Sequence, residues 1–234
     1  MSEKNKRMFS SIAENYDKVN RIISLGADIG WRKRTAQECL VGRKSAKVLD
    51  VATGTGDLAI AIAHEAKKMH KKVSVLGLDF NQDMLNIARS KVKRSKMKNV
   101  SLVQGDALDL ELKAGSFDII TTGFALRNFD DLGAFIEEAY RVLKPGGKAA
   151  FLEVAKPDSV LGDMIKFYYF NVIPMIGSKY NKDAYVWLAS SLWRFDKNLL
   201  MHLMKKAGFK NIKAKNLTFG VAFILTANKP KSAK

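Results

Sequence analysis

Val48-Leu-Asp-Val-Ala-Thr-Gly-Thr-Gly-Asp57, with Leu76-Gly-Leu-Asp79 downstream of it, decides the fold. The first piece is an apolar run that breaks into a glycine-rich turn. The second is an apolar run that ends on an acid. A buried strand, a tight loop, a helix and a second strand tipped by a carboxylate make up a nucleotide-binding half-fold.

Outward from this unit, apolar strands alternate with amphipathic helices. Strands are predicted over Lys47–Ala52, Val73–Asp79, Val100–Gln104, Phe117–Thr122 and Lys148–Val154, and helices over Leu58–Lys67, Gln82–Ser95 and Leu132–Leu143. Lys144-Pro-Gly-Gly147 supplies a helix stop before the fifth strand. This alternation implies an α/β fold with a mostly parallel sheet covered on both faces. Phe9 to Leu40 reads as helical, with Phe9, Ile12, Ala13 and Tyr16 on one face and Val19, Ile22 and Ile23 on another. After Pro157 the pattern changes, and Met164 to Trp193 is rich in aromatics, broken by Pro174 and Gly177. A helix over Asn198–Ala207 and strands over Asn211–Asn216 and Gly220–Ala227 follow, the last two forming an antiparallel hairpin. One domain is expected: a helical cap over 1–46, a cofactor-binding core over 47–157, a helical lid over 158–196, and a helix with hairpin over 197–234. Lys229 to Lys234 reads as a frayed tail.

The 234 residues are 47% hydrophobic, enough for a sizeable core. The chain has no apolar run long enough to span a bilayer and no secretory-type start. Cys39 stands alone, which favours the cytoplasm. A net charge of +17 attracts polyanions, either nucleic acid or anionic lipid headgroups. Lys67, Lys68, Lys71, Lys72 and the basic run from Arg89 to Lys98 read as solvated helix faces. Basic residues do not interleave with aromatics in the RNA-binding manner, so no nucleic-acid partner is expected. His64, His70 and His202 show no metal-ligand spacing, so no metal is expected. A homo-oligomer is compatible with the sequence and not required by it.

Seven strands ending in an antiparallel pair, with the glycine loop after the first, resemble the class I S-adenosylmethionine-dependent methyltransferase fold from Lys47 to Lys229. The loop alone suits a dinucleotide equally. Asp106 after the third strand, and the absence of a second catalytic domain after the sheet, favour S-adenosylmethionine. The resemblance implies that Asp50 and Asp57 flank the loop around the positively charged methionine end of the cofactor. Gly54 and Gly56 let the backbone turn and approach it, and Thr55 offers a hydroxyl and an N–H. Asp79 would accept both ribose hydroxyls. Asp106 would accept the adenine amine and the Ala107 N–H would meet a ring nitrogen. Met84 would pack on adenine, and Gly123 would border the carboxylate and sulfonium.

Further motifs narrow the match. They are Tyr16-Asp-Lys-Val-Asn20, Ser24-Leu-Gly26 and Trp31-Arg-Lys-Arg34; then Phe124-Ala-Leu-Arg-Asn128; then Arg141-Val-Leu-Lys-Pro-Gly-Gly147 through Glu153-Val-Ala-Lys-Pro157. Tyr185-x-Trp-Leu-x-x-Ser191, Ala207-Gly-Phe209 and Leu217-Thr-Phe-Gly220 complete them. Together they resemble the ubiquinone/menaquinone biosynthesis C-methyltransferase family over nearly the whole chain. That family's pattern has methionine where Val19 stands, histidine where Asp28 stands, serine at Gly123 and Ala155, and often glycine at Thr53. The resemblance implies methylation of a ring carbon in a prenylated hydroquinone; the alternative is another small lipid, phenol or amine acceptor.

An aromatic carbon is a weak nucleophile until a phenolic proton leaves and pushes charge onto it. Arg127, after the fourth strand, is the candidate cation beside the developing phenolate; it is too basic to be the base itself. Asn128 would hold a water, and Asp57 or Tyr16 would complete a proton path. The apolar segment from Met164 to Ile176 would cover the prenyl tail. A basic surface with an apolar mouth suits peripheral contact with a membrane.

Overall fold

Side chains along a strand point alternately to the two faces of its sheet. Here Ile119 packs into one helical layer and its neighbour Ile120 into the other. The computed structural model describes residues 3–154, 156, 162–179, 186, 190, 191 and 195–231. Ala155, Pro157, Tyr185, Trp187, Leu188, Trp193 and the last three residues, which carried some of the expectations above, lie outside the described residues.

The seven strands are β1 (Ser45–Val51), β2 (Lys72–Asp79), β3 (Val100–Gln104), β4 (Phe117–Gly123), β5 (Leu143–Val154), β6 (Lys210–Leu217) and β7 (Ala222–Asn228). They lie in the order β3-β2-β1-β4-β5-β7-β6. The first five run parallel, and β7 lies antiparallel between β5 and β6. Strand order reverses between β1 and β4, so a crevice opens beyond their carboxyl ends, where open α/β sheets bind ligands.

The helices are α1 (Glu3–Ile23), α2 (Ala27–Leu40), α3 (Asp57–Lys68), α4 (Gln82–Ser95), α5 (Leu132–Val142), α6 (Gly162–Phe167) and α7 (Lys197–Lys206). α2 and α3 cover one sheet face through residues such as Leu40 and Ile62. α5 and α7 cover the other through Phe135 and Met204. A third apolar cluster joins Ile12 and Val19 of α1, Trp31 of α2, and Tyr169 and Ile173 beyond α6 to the ends of β5 and β7. This cluster encloses the site. Among the described residues, no helix is long and apolar enough to cross a membrane.

Three expectations are corrected. The N-terminal helical block breaks in two, because Leu25 and Gly26 take φ of 51° and 78° and the Gly26 N–H donates to the Arg21 carbonyl at 2.8 Å. A left-handed glycine is an ordinary helix stop, and just before this turn Ile22 is left exposed. The fifth strand begins at Leu143: Leu143 pairs with Phe117 and Lys148 with Ile119, so 144–147 bulge out of the ladder. The tail is tied down as far as Pro230. The Gly146 N–H meets the Lys229 and Pro230 carbonyls at 3.0 and 3.2 Å. The Lys229 ammonium meets the Tyr140 and Leu143 carbonyls at 2.7 and 2.8 Å, satisfying the end of α5.

Candidate active site

The chain leaves β1 and turns toward α3 within a few residues. Ala52, Gly54 and Gly56 achieve this with φ of 52°, 57° and 83°. A Cβ on Gly56 would stand 3.1 Å from that of Ala88 on α4, so glycine here allows close helix packing. Asp50 braces this loop from beneath. It is 1% exposed and accepts the Thr53 and Thr121 hydroxyls at 2.6 and 2.7 Å. Burial raises its pKa to about 6 against those hydrogen bonds. In this structure both Asp50 oxygens are engaged by the loop and its neighbouring strand.

Asp79, at the tip of β2, holds the loop from the other side. Its two oxygens accept the Gly54 and Asn81 N–H groups at 2.7 and 2.9 Å. Burial raises this pKa also to about 6, despite the backbone hydrogen bonds. Asp79, Gly54, Met84, Gly123 and Asn128 line one cleft, roofed by Phe9 and Tyr16 of α1. Asp79 also borders an adjoining hollow lined by Asp106 and Ala107. Asp106 is exposed, and one of its oxygens accepts the Leu108 N–H at 2.9 Å.

Polar contacts strap α1 across this cleft. Ser10 accepts from the Asn81 amide at 3.0 Å. Asp17 accepts from the Thr55 hydroxyl at 2.7 Å and from Lys91 at 2.6 Å. Arg21 donates to Asp57 at 2.7 Å, and Lys91 bonds Asp57 as well. Burial pushes the Asp57 carboxyl up, but the charges of Arg32 and Lys91 and hydrogen bonds from Lys91 and Arg21 outweigh it and hold its pKa below the usual range. Asp57 thus lies at the centre of a cluster of three cations, Arg21, Arg32 and Lys91. Thr55 likewise gives its hydroxyl to Asp17. Lys91 departs from the reading of its basic run as solvated, since its side chain is only 15% exposed.

Past Phe124 a second cavity opens, with a volume of about 360 Å³. Tyr16 and Phe124 line both cavities, so the two meet at these rings. Phe124 has a φ of 63°, a left-handed conformation that is strained for a bulky residue and concentrated at functional sites. The Arg32 guanidinium stacks over its ring at 4.9 Å, and Trp31 meets it edge-on at 6.2 Å. The short helical turn Leu126–Asn128 then sends Arg127 to the second cavity and Asn128 to the cleft.

The Arg127 side chain is 6% exposed and pairs with Glu153, itself 0% exposed, near the end of β5. Asp28, in a polar corner of the cavity, pairs with Arg21 and Arg32. The rest of the wall is mainly apolar and aromatic. Tyr168 and Tyr169 from the π-helical turn Tyr168–Val172 help form it, and the Tyr168 hydroxyl is tied to the Ile23 carbonyl at 2.9 Å. Trp31 Nε1 donates to Thr218 at 2.8 Å and fixes the β6–β7 turn to α2.

Residues 1–229 match the ubiE/COQ5 methyltransferase family. The chain belongs to that family. It is a methyltransferase that uses S-adenosylmethionine. The chain is 40% identical to the demethylmenaquinone methyltransferase of Staphylococcus carnosus, over 98% of this chain and 94% of that one. It is 37% identical to the protein of the same name in Anoxybacillus flavithermus, over 97% and 96%. Among solved structures, an S-adenosylmethionine-dependent methyltransferase of Thermotoga maritima superposes with a TM-score of 0.67 at 21% identity, over 95% of this chain and 99% of that one. The [4+2]-cyclase SpnF superposes at 0.65 with 19% identity, over 86% and 81%. At such identities the likeness shows the fold alone.

The methyltransferase's cleft fits its cofactor chemically. A carboxylate offers about four acceptor sites. Backbone N–H groups of Gly54, Phe80 and Asn81 occupy Asp79 only in part and leave acceptor capacity for the ribose. Met84, 2% exposed, supplies an apolar wall one turn into α4. Sequence reasoning missed Glu153, Asn81 and the Asp17–Lys91 strap. The one available signal was the N-cap pattern at Asn81, which accepts the Asp83 and Met84 N–H groups.

Proposed function

We propose that the methyltransferase C-methylates the ring of a prenylated hydroquinone of the demethylmenaquinol type. The observation that carries this reading is the 360 Å³ apolar cavity that meets the cofactor cleft at Tyr16 and Phe124, with one side of the Arg127 guanidinium in its wall. The names of the curated relatives support the same acceptor. The bound cofactor supplies an electrophilic methyl group on a sulfonium. The ring lies in the cavity with the reacting carbon toward the cleft. Such orientation contributes several kcal/mol.

Asp79 holds the ribose, Met84 and Ala107 pack the adenine end, and Gly54, Gly56, Asp106 and Gly123 shape the rest. Arg127 stabilises the phenolate that forms when the hydroxyl proton leaves. Asn128, facing the cleft, holds the water that takes this proton. Burial raises the Tyr16 phenol above its ordinary pKa, opposed by Arg127 and Arg32. Tyr16 therefore stays protonated and acts as a hydrogen-bond donor. The cofactor, held by the cleft, would supply the methyl group to the ring carbon; this chain's part is to hold that carbon toward the cleft and, through the water at Asn128, to take up the proton the ring releases.

Phe9 and Tyr16 of α1 roof the cleft, so α1 covers the cofactor site. The prenyl tail leaves past Leu25 and Met164, which line the cavity and are 86% and 62% exposed; Phe167, Met175 and Phe219 are further exposed apolar side chains. This apolar rim on a protein of net charge +17 suits peripheral contact with an anionic membrane. The test is methyl transfer from labelled S-adenosylmethionine to short-tailed demethylmenaquinol and to the matching benzoquinol, both kept reduced. Label on the ring carbon of the naphthoquinol supports the reading; label on neither quinol sinks it.

A further inference from the structure

Arg127 enters the cavity wall in a fixed attitude. Its Nη1 pairs with Glu153, and its own backbone N–H points at the second Glu153 oxygen at 3.4 Å. Glu153 is in turn anchored by the Val154 N–H at 2.9 Å. One carboxylate thus grips both the side chain and the main chain of Arg127. The Arg127 Nε is buried and, among the described residues, has no hydrogen-bond partner. A buried N–H without an acceptor is costly in a folded protein, so the grip of Glu153 holds this arginine where it is despite an unsatisfied donor.

We propose that Glu153 is the positioning residue for Arg127. It holds the guanidinium by one side in a fixed attitude at the cavity wall, and its charge offsets the arginine's until the phenolic proton leaves. The inference rests on the hydroquinone reading above. Tyr16 on α1 and Tyr169 beyond α6 also interact electrostatically with Arg127, and Arg32 on α2 acts on Tyr16. Among the described residues, Glu153 is the acid paired with Arg127.

Glu153→Gln keeps the shape and removes the charge. An uncompensated cation beside the acceptor hydroxyl favours its ionised form, so the rising limb of kcat against pH should move about one unit toward acid. The looser guanidinium should lower the plateau kcat roughly tenfold to hundredfold while KM changes little. Glu153→Asp keeps the charge and shortens the arm. It should leave the limb in place with a smaller loss of kcat, and it serves if the glutamine variant does not fold. Nitrogen NMR of the Arg127 guanidinium reads the pairing without any acceptor. Restricted, separate Nη signals are expected in the native enzyme and averaged ones in Glu153→Gln. A glutamine variant with native kcat and an unmoved limb overturns the proposal, as does an unchanged Arg127 spectrum. If the native enzyme methylates no quinol, the functional reading fails, and the nitrogen spectrum alone decides the positioning role.

Discussion

Replacing Asp79 with asparagine separates what its charge does for the cofactor from what it does for the fold. Its pKa is raised from 3.8 to about 6. At ~1.36 kcal/mol per unit, the ionised carboxylate costs the folded state about 3 kcal/mol at neutral pH. That cost fades as pH falls from about 6 toward 3.8, so this group makes the fold relatively more stable in acid. Asparagine removes the cost but offers one acceptor oxygen where the Gly54 and Asn81 N–H groups use two. One unsatisfied buried N–H costs about 1–3 kcal/mol. The two effects nearly cancel, so the melting temperature should move by about a few degrees at most.

Cofactor affinity has no such compensation. Hydrogen bonds to a charged group contribute about 1.5–3 kcal/mol each, and a neutral amide oxygen retains about 1. The loss is roughly 2–4 kcal/mol, or about 30-fold to 1,000-fold in Kd. The native enzyme should bind S-adenosylmethionine most tightly above pH ~6 and lose up to roughly tenfold per unit below it, because the ribose hydroxyls need the ionised form. The variant should lose that dependence. Calorimetric titration from pH 5 to 8, run beside thermal melts, reads both effects. Native-like affinity in the variant, or a flat native pH profile, would refute the assignment of Asp79 to the ribose.

Arg127→Lys keeps the charge but loses the planar fork, and should lower kcat by roughly a hundredfold with cofactor affinity unchanged in calorimetry. Equal losses in both would instead point to a cofactor role. Lys91→Ala unfastens Asp17 of α1 from α4 and leaves Asp57 with one cation fewer; protease cleavage within α1 and cofactor dissociation, followed by stopped flow, should both speed up several-fold. Unaltered rates would mean that the strap does not gate the cleft. The double change Leu25→Ser with Phe219→Ser should weaken sedimentation with anionic vesicles while a short-tailed quinol is still methylated at the native rate. Vesicle binding that survives the change would move membrane contact away from the rim.

The cofactor half of the site was legible because its signals are local. An apolar run, a glycine turn and a terminal acid are consecutive in the chain, and Asp79 and Met84 fall where that pattern puts them. The direction of the Asp50 side chain was legible as well. Leu49 and Val51 share one layer and Val48 belongs to the other, so strand parity turns Asp50 to the side of Val48 and α3. The strap and the Arg127 pair were not legible for a different reason. Lys91 lies 74 residues from Asp17, and Arg127 lies 26 from Glu153. A lysine in a basic run reads the same locally whether it is solvated or ion-paired. The Lys229 anchor depends likewise on where the Gly146 bulge lands in space. The acceptor cavity is assembled from α1, α2, α6 and the β6–β7 turn, and only their packing sets its volume.

The most direct test of the account is to fill that cavity. Val221 lines it from the end of the β6–β7 turn, away from the cofactor cleft. Val221→Trp should abolish methyl transfer to demethylmenaquinol, or raise its KM steeply, while S-adenosylmethionine affinity and the melting curve stay native. A folded Val221→Trp enzyme that methylates the quinol at the native rate and KM would mean that the ring reacts somewhere else.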